Sequence, residues 1–263
     1  MTLLKNKKSI QSDNFIKFLG TAGARFVMIK QLRASGGIWI SYNNINILID
    51  PGPGCVVRCA NARPKLDPSK LDGIILSHRH LDHSGDINVM IEAMTEGGFK
   101  KRGVVFCPYD AIHDDSVILK HLVNFPEEIR ILKPRSSYKI KDFKFTTSMK
   151  HRHPSETYGI KFKLGKQKIA LLTDTRYFKE LENFYKCDIL IISVVFLNER
   201  PDVEHLSLPD VRKIIMKLKP KKVILTHFGM SMLKAKPRIQ AEILTKELGI
   251  EVVAAYDGMS LKV

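Results

Sequence analysis

Apolar runs alternate with polar turns along the chain, and two spacings stand out. Short runs rich in Ile, Leu, Val and Phe predict strands at Phe15–Leu19, Ile38–Tyr42, Ile45–Ile49, Gly73–Leu76, Val104–Cys107, Phe143–Ser148, Gly159–Leu164, Ile169–Leu172, Ile189–Val195, Val223–Leu225 and Val252–Ala254. Helical spacing predicts Ile87–Glu96, Ser116–Val123, Pro209–Leu218 and Arg238–Leu248, the last stopped by Gly249 at a C-cap position. Strands and amphipathic helices in this order suit a mixed α/β (α+β) fold. The arrangement expected is a four-layer αββα sandwich, two packed sheets flanked by helices. No Pro/Ser-rich linker, low-complexity block or repeat interrupts it, so residues 1–263 read as a single domain, with Met1 to Asp13 a polar, basic tail. At 263 residues and 44% hydrophobic content, the chain is long enough to bury one large core.

Chemistry concentrates where the run Gly73–Leu76 ends. The next residues are Ser77-His78-Arg79-His80-Leu81-Asp82-His83-Ser84-Gly85. Imidazole and carboxylate are the donors that hold borderline divalent ions such as zinc. On an extended segment His78 and His80 point to one side and grip one ion, while Asp82 and His83, around the next bend, reach a second. A polar loop with one hydrogen-bonded histidine accounts for one of these side chains, but not for the set. Further donors end other apolar runs: Asp50, His151 and His153, Asp174, and His227. Singly, each reads as a turn, capping or structural residue.

The string His-x-His-x-Asp-His after a strand resembles the signature of the metallo-β-lactamase superfamily. That resemblance orders the remaining donors. It implies that Asp50, closing Ile47-Leu48-Ile49, supports the metal loop. Either His151 or His153 supplies the next ligand; His153 stands five residues before Tyr158, the interval usual in phosphodiesterase-like members, which leaves His151 as its neighbour. Asp174 bridges two ions and His227 completes the second site. The ligand set implied is His78, His80 and His153 for one ion, and Asp82, His83 and His227 for the other. His205, followed by Ser207 and a helix, resembles the histidine that contacts the scissile phosphate or protonates the leaving oxygen in ribonuclease Z and a cyclic phosphodiesterase. Phe18-Leu19-Gly20-Thr21-Ala22-Gly23-Ala24 is similar to the opening of the ribonuclease Z group.

The function implied is dinuclear metal-dependent hydrolysis: a water shared by two ions attacks phosphorus, Asp82 orients it, and His205 gives the leaving group a proton. Zinc is the first choice of metal, with manganese or iron compatible with the same donors. Ribonuclease Z carries an arm that clamps transfer RNA between its third and fourth motifs. The interval from Gly159 to Asp174 is too short for one, and Phe228-Gly229-Met230-Ser231 departs from that enzyme's sequence. A small cyclic or short phosphodiester is therefore the substrate expected, ahead of a lactone or thioester, or of a nucleic-acid-binding nuclease-like module. Relatives of this kind are often homodimers.

Charge and cysteine content narrow the setting. Lys and Arg number 43 against 27 Asp and Glu, a formal +16 that favours anionic partners, with denser patches at Lys5–Lys8, Phe99–Arg102 and Arg212–Lys222. The amino terminus has no apolar core of a secretory signal, and the longest apolar run, Ile189–Leu197, is too short to span a bilayer. With Cys55, Cys59, Cys107 and Cys187 read as packing residues, a cytoplasmic location is expected.

Overall fold

A computed structural model describes residues 14–263; the expected tail and the Lys5–Lys8 patch lie outside the described residues. The strands are β1 (Phe15–Phe18), β2 (Ile38–Tyr42), β3 (Ile45–Ile49), β4 (Gly73–Ile75), β5 (Val104–Cys107), β6 (Glu128–Ile131), β7 (Ser137–Ile140), β8 (Phe143–Thr147), β9 (Ile160–Leu164), β10 (Gln167–Leu172), β11 (Ile189–Ser193), β12 (Lys222–Thr226), β13 (Glu251–Ala254) and β14 (Ser260–Lys262). They form two seven-stranded sheets, ordered β14-β1-β2-β3-β4-β5-β6 and β13-β12-β11-β10-β9-β8-β7. Each sheet is antiparallel on one side and parallel on the other, changing at β3 in the first and β10 in the second.

Helices α1 (Ala24–Ile29), α2 (Cys55–Asn61), α3 (Leu81–Ser84), α4 (Ile87–Met94), α5 (Leu181–Phe184), α6 (Leu208–Leu218), α7 (Met230–Lys234) and α8 (Pro237–Leu248) fill the connections. Period-two alternation decides which strand face goes where. On β8 the residues Phe143 and Phe145 turn inward and Lys144 outward. The inward faces of both sheets meet in one core containing Ile40, Ile47, Phe106, Phe145, Ile160 and Ile224. The outer face of the first sheet packs on α4 through Ile74, Ile87, Met90 and Ile91, and that of the second on α6 and α8 through Leu190, Val211, Ile215 and Leu244. Helix, sheet, sheet, helix is the αββα sandwich read from the sequence. Cys55, Cys59 and Cys107 are buried between the first sheet and its helices.

One expected helix is absent. Ser116–Val123 forms a loop with a single 3-10 turn at Lys120–Leu122. Side chains compete for its backbone: Ser116 Oγ donates to the carbonyls of Ala111 and Ile118, and Asn88 takes the Leu119 amide at 2.9 Å while donating to the Val117 carbonyl. The C-cap at Gly249 turned out as read, and the start of α6 is capped as well. Ser207 and Asp210 form a capping box at the start of α6, and Gly249 ends α8 with φ of 66°.

Candidate metal centre

The parallel halves of both sheets point their carboxyl ends toward one edge, and the connections there carry the candidate chemistry. The loop after β4 runs extended through His78 to His80 and then turns into α3. Asp50 holds this loop in place. Its carboxylate accepts from the Ser77 amide at 2.6 Å, from Ser77 Oγ at 2.7 Å and from His83 Nδ1 at 2.9 Å. With Nδ1 occupied, His83 turns Nε2 toward the centre. Ser77 Oγ sits 3.0 Å from His78 Nδ1, so His78 likewise presents Nε2.

The second sheet brings its donors singly. His153 donates Nδ1–H to the Glu204 carbonyl at 3.0 Å, which aims Nε2 at His80 Nδ1, also 3.0 Å away. Asp174, two residues past β10, is buried with Oδ2 3.5 Å from His83 Nε2 and 3.9 Å from His78 Nε2. His227, just past β12, lies with Nε2 2.9 Å from His83 Nε2 and 3.2 Å from Asp82 Oδ2. Its φ of 59°, like the 53° of Asp50, is in the left-handed region, which costs a non-glycine residue ~1–3 kcal/mol. Gly23 packs against the His227 backbone, and any Cβ there would meet its ring Nδ1 at 2.6 Å. The glycine lets His227 hold this conformation.

Each residue of the ligand set read from the sequence therefore reaches the same place. Donor atoms of His78, His80 and His153 lie within 4.8 Å of one another, as do those of Asp82, His83, Asp174 and His227. A third grouping, His153, Asp174 and His205, links the two. His205 Nε2 stands 3.3 Å from Asp174 Oδ2, and its ring meets that of His153 edge-on at 5.0 Å. The other candidate histidine, His151, is elsewhere. It is buried behind Asp174, donating Nδ1–H to the Asp174 carbonyl at 3.0 Å and accepting from the Tyr185 hydroxyl at 2.6 Å, so neither ring nitrogen is free for a metal.

Four features fit this pocket to divalent cations. Imidazole nitrogens of His83 and His227, and of His80 and His153, approach to 2.9 and 3.0 Å, close to the roughly 3.3 Å separating two ligands of one tetrahedral zinc. His78 Nε2, Asp174 Oδ1 and His227 Nδ1 are buried without a hydrogen-bond partner. His227 Nδ1 does lie 3.3 Å from Asp174 Oδ1, but the angle is wrong for a hydrogen bond. Burial also keeps one set of imidazoles neutral: it pushes His153 down to about 4 and lowers His78 and His80. Neutral imidazole is the form that binds metal. In the carboxylate-rich cluster the balance reverses. Burial works against charge at His83, Asp82 and Asp174, but the opposite charges outweigh it, holding His83 protonated above its usual range and both carboxyls below theirs. Positive charge is stabilised there in any form.

Sequence reasoning did not single out Ser77, Gly23, Tyr185 or the Glu204 carbonyl as orienting groups. Only Ser77 carried a signal, by adjoining the histidine string. Asp257 was also missed; it accepts from Thr21 Oγ1 at 2.7 Å, the Ala34 amide at 2.8 Å and Arg58 at 3.2 Å, tying down the Gly20–Gly23 turn beside His227.

Comparison with known proteins agrees with this geometry. The chain is 32% identical over 256 residues to the uncharacterized protein MJ1374 of Methanocaldococcus jannaschii, covering 94% of each. It is 24% identical over 316 residues to ribonuclease Z of Borreliella afzelii, covering 94% of this chain and 96% of that one. The crystal structure of the metallo-β-lactamase fold protein YhfI from Bacillus subtilis superposes with a TM-score of 0.78 at 20% identity, over 95% of this chain and all of that one. The model of the β-lactamase superfamily domain matches residues 45–228, from β3 through Phe228, and so includes every residue of both donor clusters. The chain belongs to the metallo-β-lactamase superfamily.

Proposed function

We propose that the protein is a dinuclear metal-dependent hydrolase of phosphodiesters, with two divalent cations, zinc first and manganese or iron as substitutes, held by His78, His80 and His153 and by Asp82, His83 and His227, and Asp174 between them. The observation that carries the phosphodiester reading is His205: a histidine beside both donor clusters that also lines the cavity opening on them. A lactone or thioester hydrolase has no need of a second proton donor in that position. When bound, the cations supply an acidified water and offset the charge that builds on the non-bridging phosphoryl oxygens.

The chain's own residues do the rest. Asp82, within 3.2 Å of His227 and 3.7 Å of His83, orients the water for attack. One P–O bond forms, the ester P–O bond opposite breaks, and His205 gives the departing oxygen its proton. Phosphomonoester and alcohol result, and the proton released by the water makes good the one His205 loses. The similarity to ribonuclease Z supports a phosphodiester as substrate. A small substrate is favoured over a long nucleic acid because four cations of the Arg212–Lys222 patch, Arg212, Lys213, Lys221 and Lys222, are each set against a carboxylate rather than free for phosphates.

Metal analysis of the purified protein, with a panel of an alkyl phosphodiester, whose alkoxide leaving group needs a proton, a lactone and a thioester, tests this. Phosphodiester turnover with two equivalents of divalent cation is expected, and His205→Ala should lower kcat about 100- to 10,000-fold while retaining both cations. Equal activity in the variant would remove His205 from the reaction, and turnover of the lactone or thioester alone would replace the phosphodiester reading.

A further inference from the structure

The donor clusters open into a cavity of about 1020 Å3 that mixes polar side chains, Asn198, Arg200 and Ser231 among them, with a larger apolar share, an unexpected surrounding for a site that takes a charged ester. Leu81 lies between the two ligands His80 and Asp82, yet its own side chain turns outward and is 66% exposed. Helix α1 packs beside α3, adding Phe26 at 60% and Ile29 at 66% exposure to the same wall. Single exposed apolar side chains are ordinary on a protein surface, but here three adjoin the place where the chemistry is concentrated. Phe196 and Val203, on the connection that carries His205, line the same cavity. Two exposed cations, Arg25 and Lys234, also line the cavity, and among the described residues neither has a carboxylate within ion-pair distance.

A small polar alcohol or a free sugar phosphate would leave these walls wet. A group with a hydrocarbon or aryl surface would cover them while its phosphate sits at the donor clusters and the free cations draw the anion in. We infer that the substrate is a phosphodiester in which one ester group is a bulky apolar limb, aryl or alkyl, received in the cavity against Phe26, Ile29, Leu81, Phe196 and Val203. The inference rests on the phosphodiesterase reading above and names the substrate class of that site. Volume agrees with it, since the cavity lies at the upper end of the range that small-molecule sites occupy, roughly 300–1,000 Å3.

Two measurements on the metal-loaded protein test the limb. In the first, a series of phosphodiesters shares glycerol as one, polar ester while the second ester is methyl, phenyl or octyl, and phosphomonoester release is followed by phosphorus NMR. The expected result is a kcat/KM about tenfold or more higher for phenyl and octyl than for methyl, and a ratio that Phe26→Ser and Leu81→Ser each shrink toward one. Equal kcat/KM across the series overturns the limb and leaves the phosphodiesterase reading intact. The second measurement needs no turnover: calorimetric binding of octylphosphonate against methylphosphonate, below the micellar range. Octylphosphonate is expected to bind about tenfold tighter, and Phe26→Ser to narrow the gap. Should the phosphonates be distinguished while no ester is cleaved, the limb pocket stands and the phosphodiesterase reading falls. Equal binding, together with a dimer in sedimentation that Phe26→Ser dissociates, assigns the apolar wall to a second copy of the chain and overturns the inference.

Discussion

The two sheets share one strand pattern and divide the chemistry unequally. Taken from β14 through β1 to β6, the first sheet pairs antiparallel three times and then parallel three times; taken from β7 through to β13, the second does the same. Matching positions have different tasks. Asp50 follows β3 and Asp174 follows β10, the strand in the same place in the other sheet. Every contact of Asp50 is to the protein, whereas Asp174 turns one oxygen with no hydrogen-bond partner toward the donors. The first half gives His78, His80, Asp82 and His83 from a single connection, held by local bonds to Ser77 and Asp50. The second half gives His153, Asp174, His205 and His227 from four separate connections, so its contribution depends on how the sheet packs. A short segment can specify a cluster by itself, but a dispersed set needs the whole sheet.

The sharpest way to break this comparison is to remove each of the two matched carboxylates. Asp174→Ala should take metal from both clusters, because its carboxylate approaches donors of each, and lower turnover about a thousandfold or more. Atomic emission on the purified variant measures the loss. Full metal retention there would contradict a bridging Asp174. Asp50→Ala acts differently. It leaves the Ser77 amide and His83 Nδ1 buried without an acceptor, a cost of about 1–3 kcal/mol for each group, visible as a lower melting temperature. Metal affinity should weaken about 10- to 100-fold, with the ligands still present. If Asp50→Ala emptied both sites as fully as Asp174→Ala, the division into support and ligand would be wrong.

A narrower change separates the clusters from each other. Gly23→Ala places a methyl group against the backbone and ring of His227 without touching the His78, His80 and His153 set. The expected result is loss of about one of two cations and a destabilisation of about 1–3 kcal/mol from overpacking. Loss of both cations, or of neither, would show that His227 is not held by that contact.

The same contrast explains what the sequence made legible. The histidine string after β4 is local, so spacing alone revealed it, and the apolar runs of the inner strands were long enough to read. Edge strands β6, β7 and β14 escaped because, apart from the buried Ile140, their residues alternate between exposed and half-buried along Glu128–Ile131, Ser137–Ile140 and Ser260–Lys262, with Lys, Arg, Ser and Glu among them. Ser116–Val123 had helical spacing, but spacing does not report that Asn88 captures its backbone from another element. Asp174, His205 and His227 were placed by order within a family pattern, since no local feature distinguishes them from capping or structural residues.

His151 shows the boundary of that legibility, because in sequence it and His153 are near equivalents. Packing separates them: Tyr185 and the Asp174 carbonyl use both nitrogens of His151, while His153 keeps Nε2 for the donors. Its effect should be the smallest of the series, since it holds Asp174 only through the backbone. His151→Gln shortens that link without emptying either donor cluster, and a loss of about tenfold in metal affinity is expected. Tyr185→Phe removes the hydroxyl that fixes the tautomer and should give a similar, smaller change; in the double variant the two should combine to less than their product, because they act through one chain of hydrogen bonds. A competitive chelator titration measures all three. Were His151→Gln instead to abolish one cation outright, His151 and not His153 would be the ligand, and the assignment of the first cluster would change.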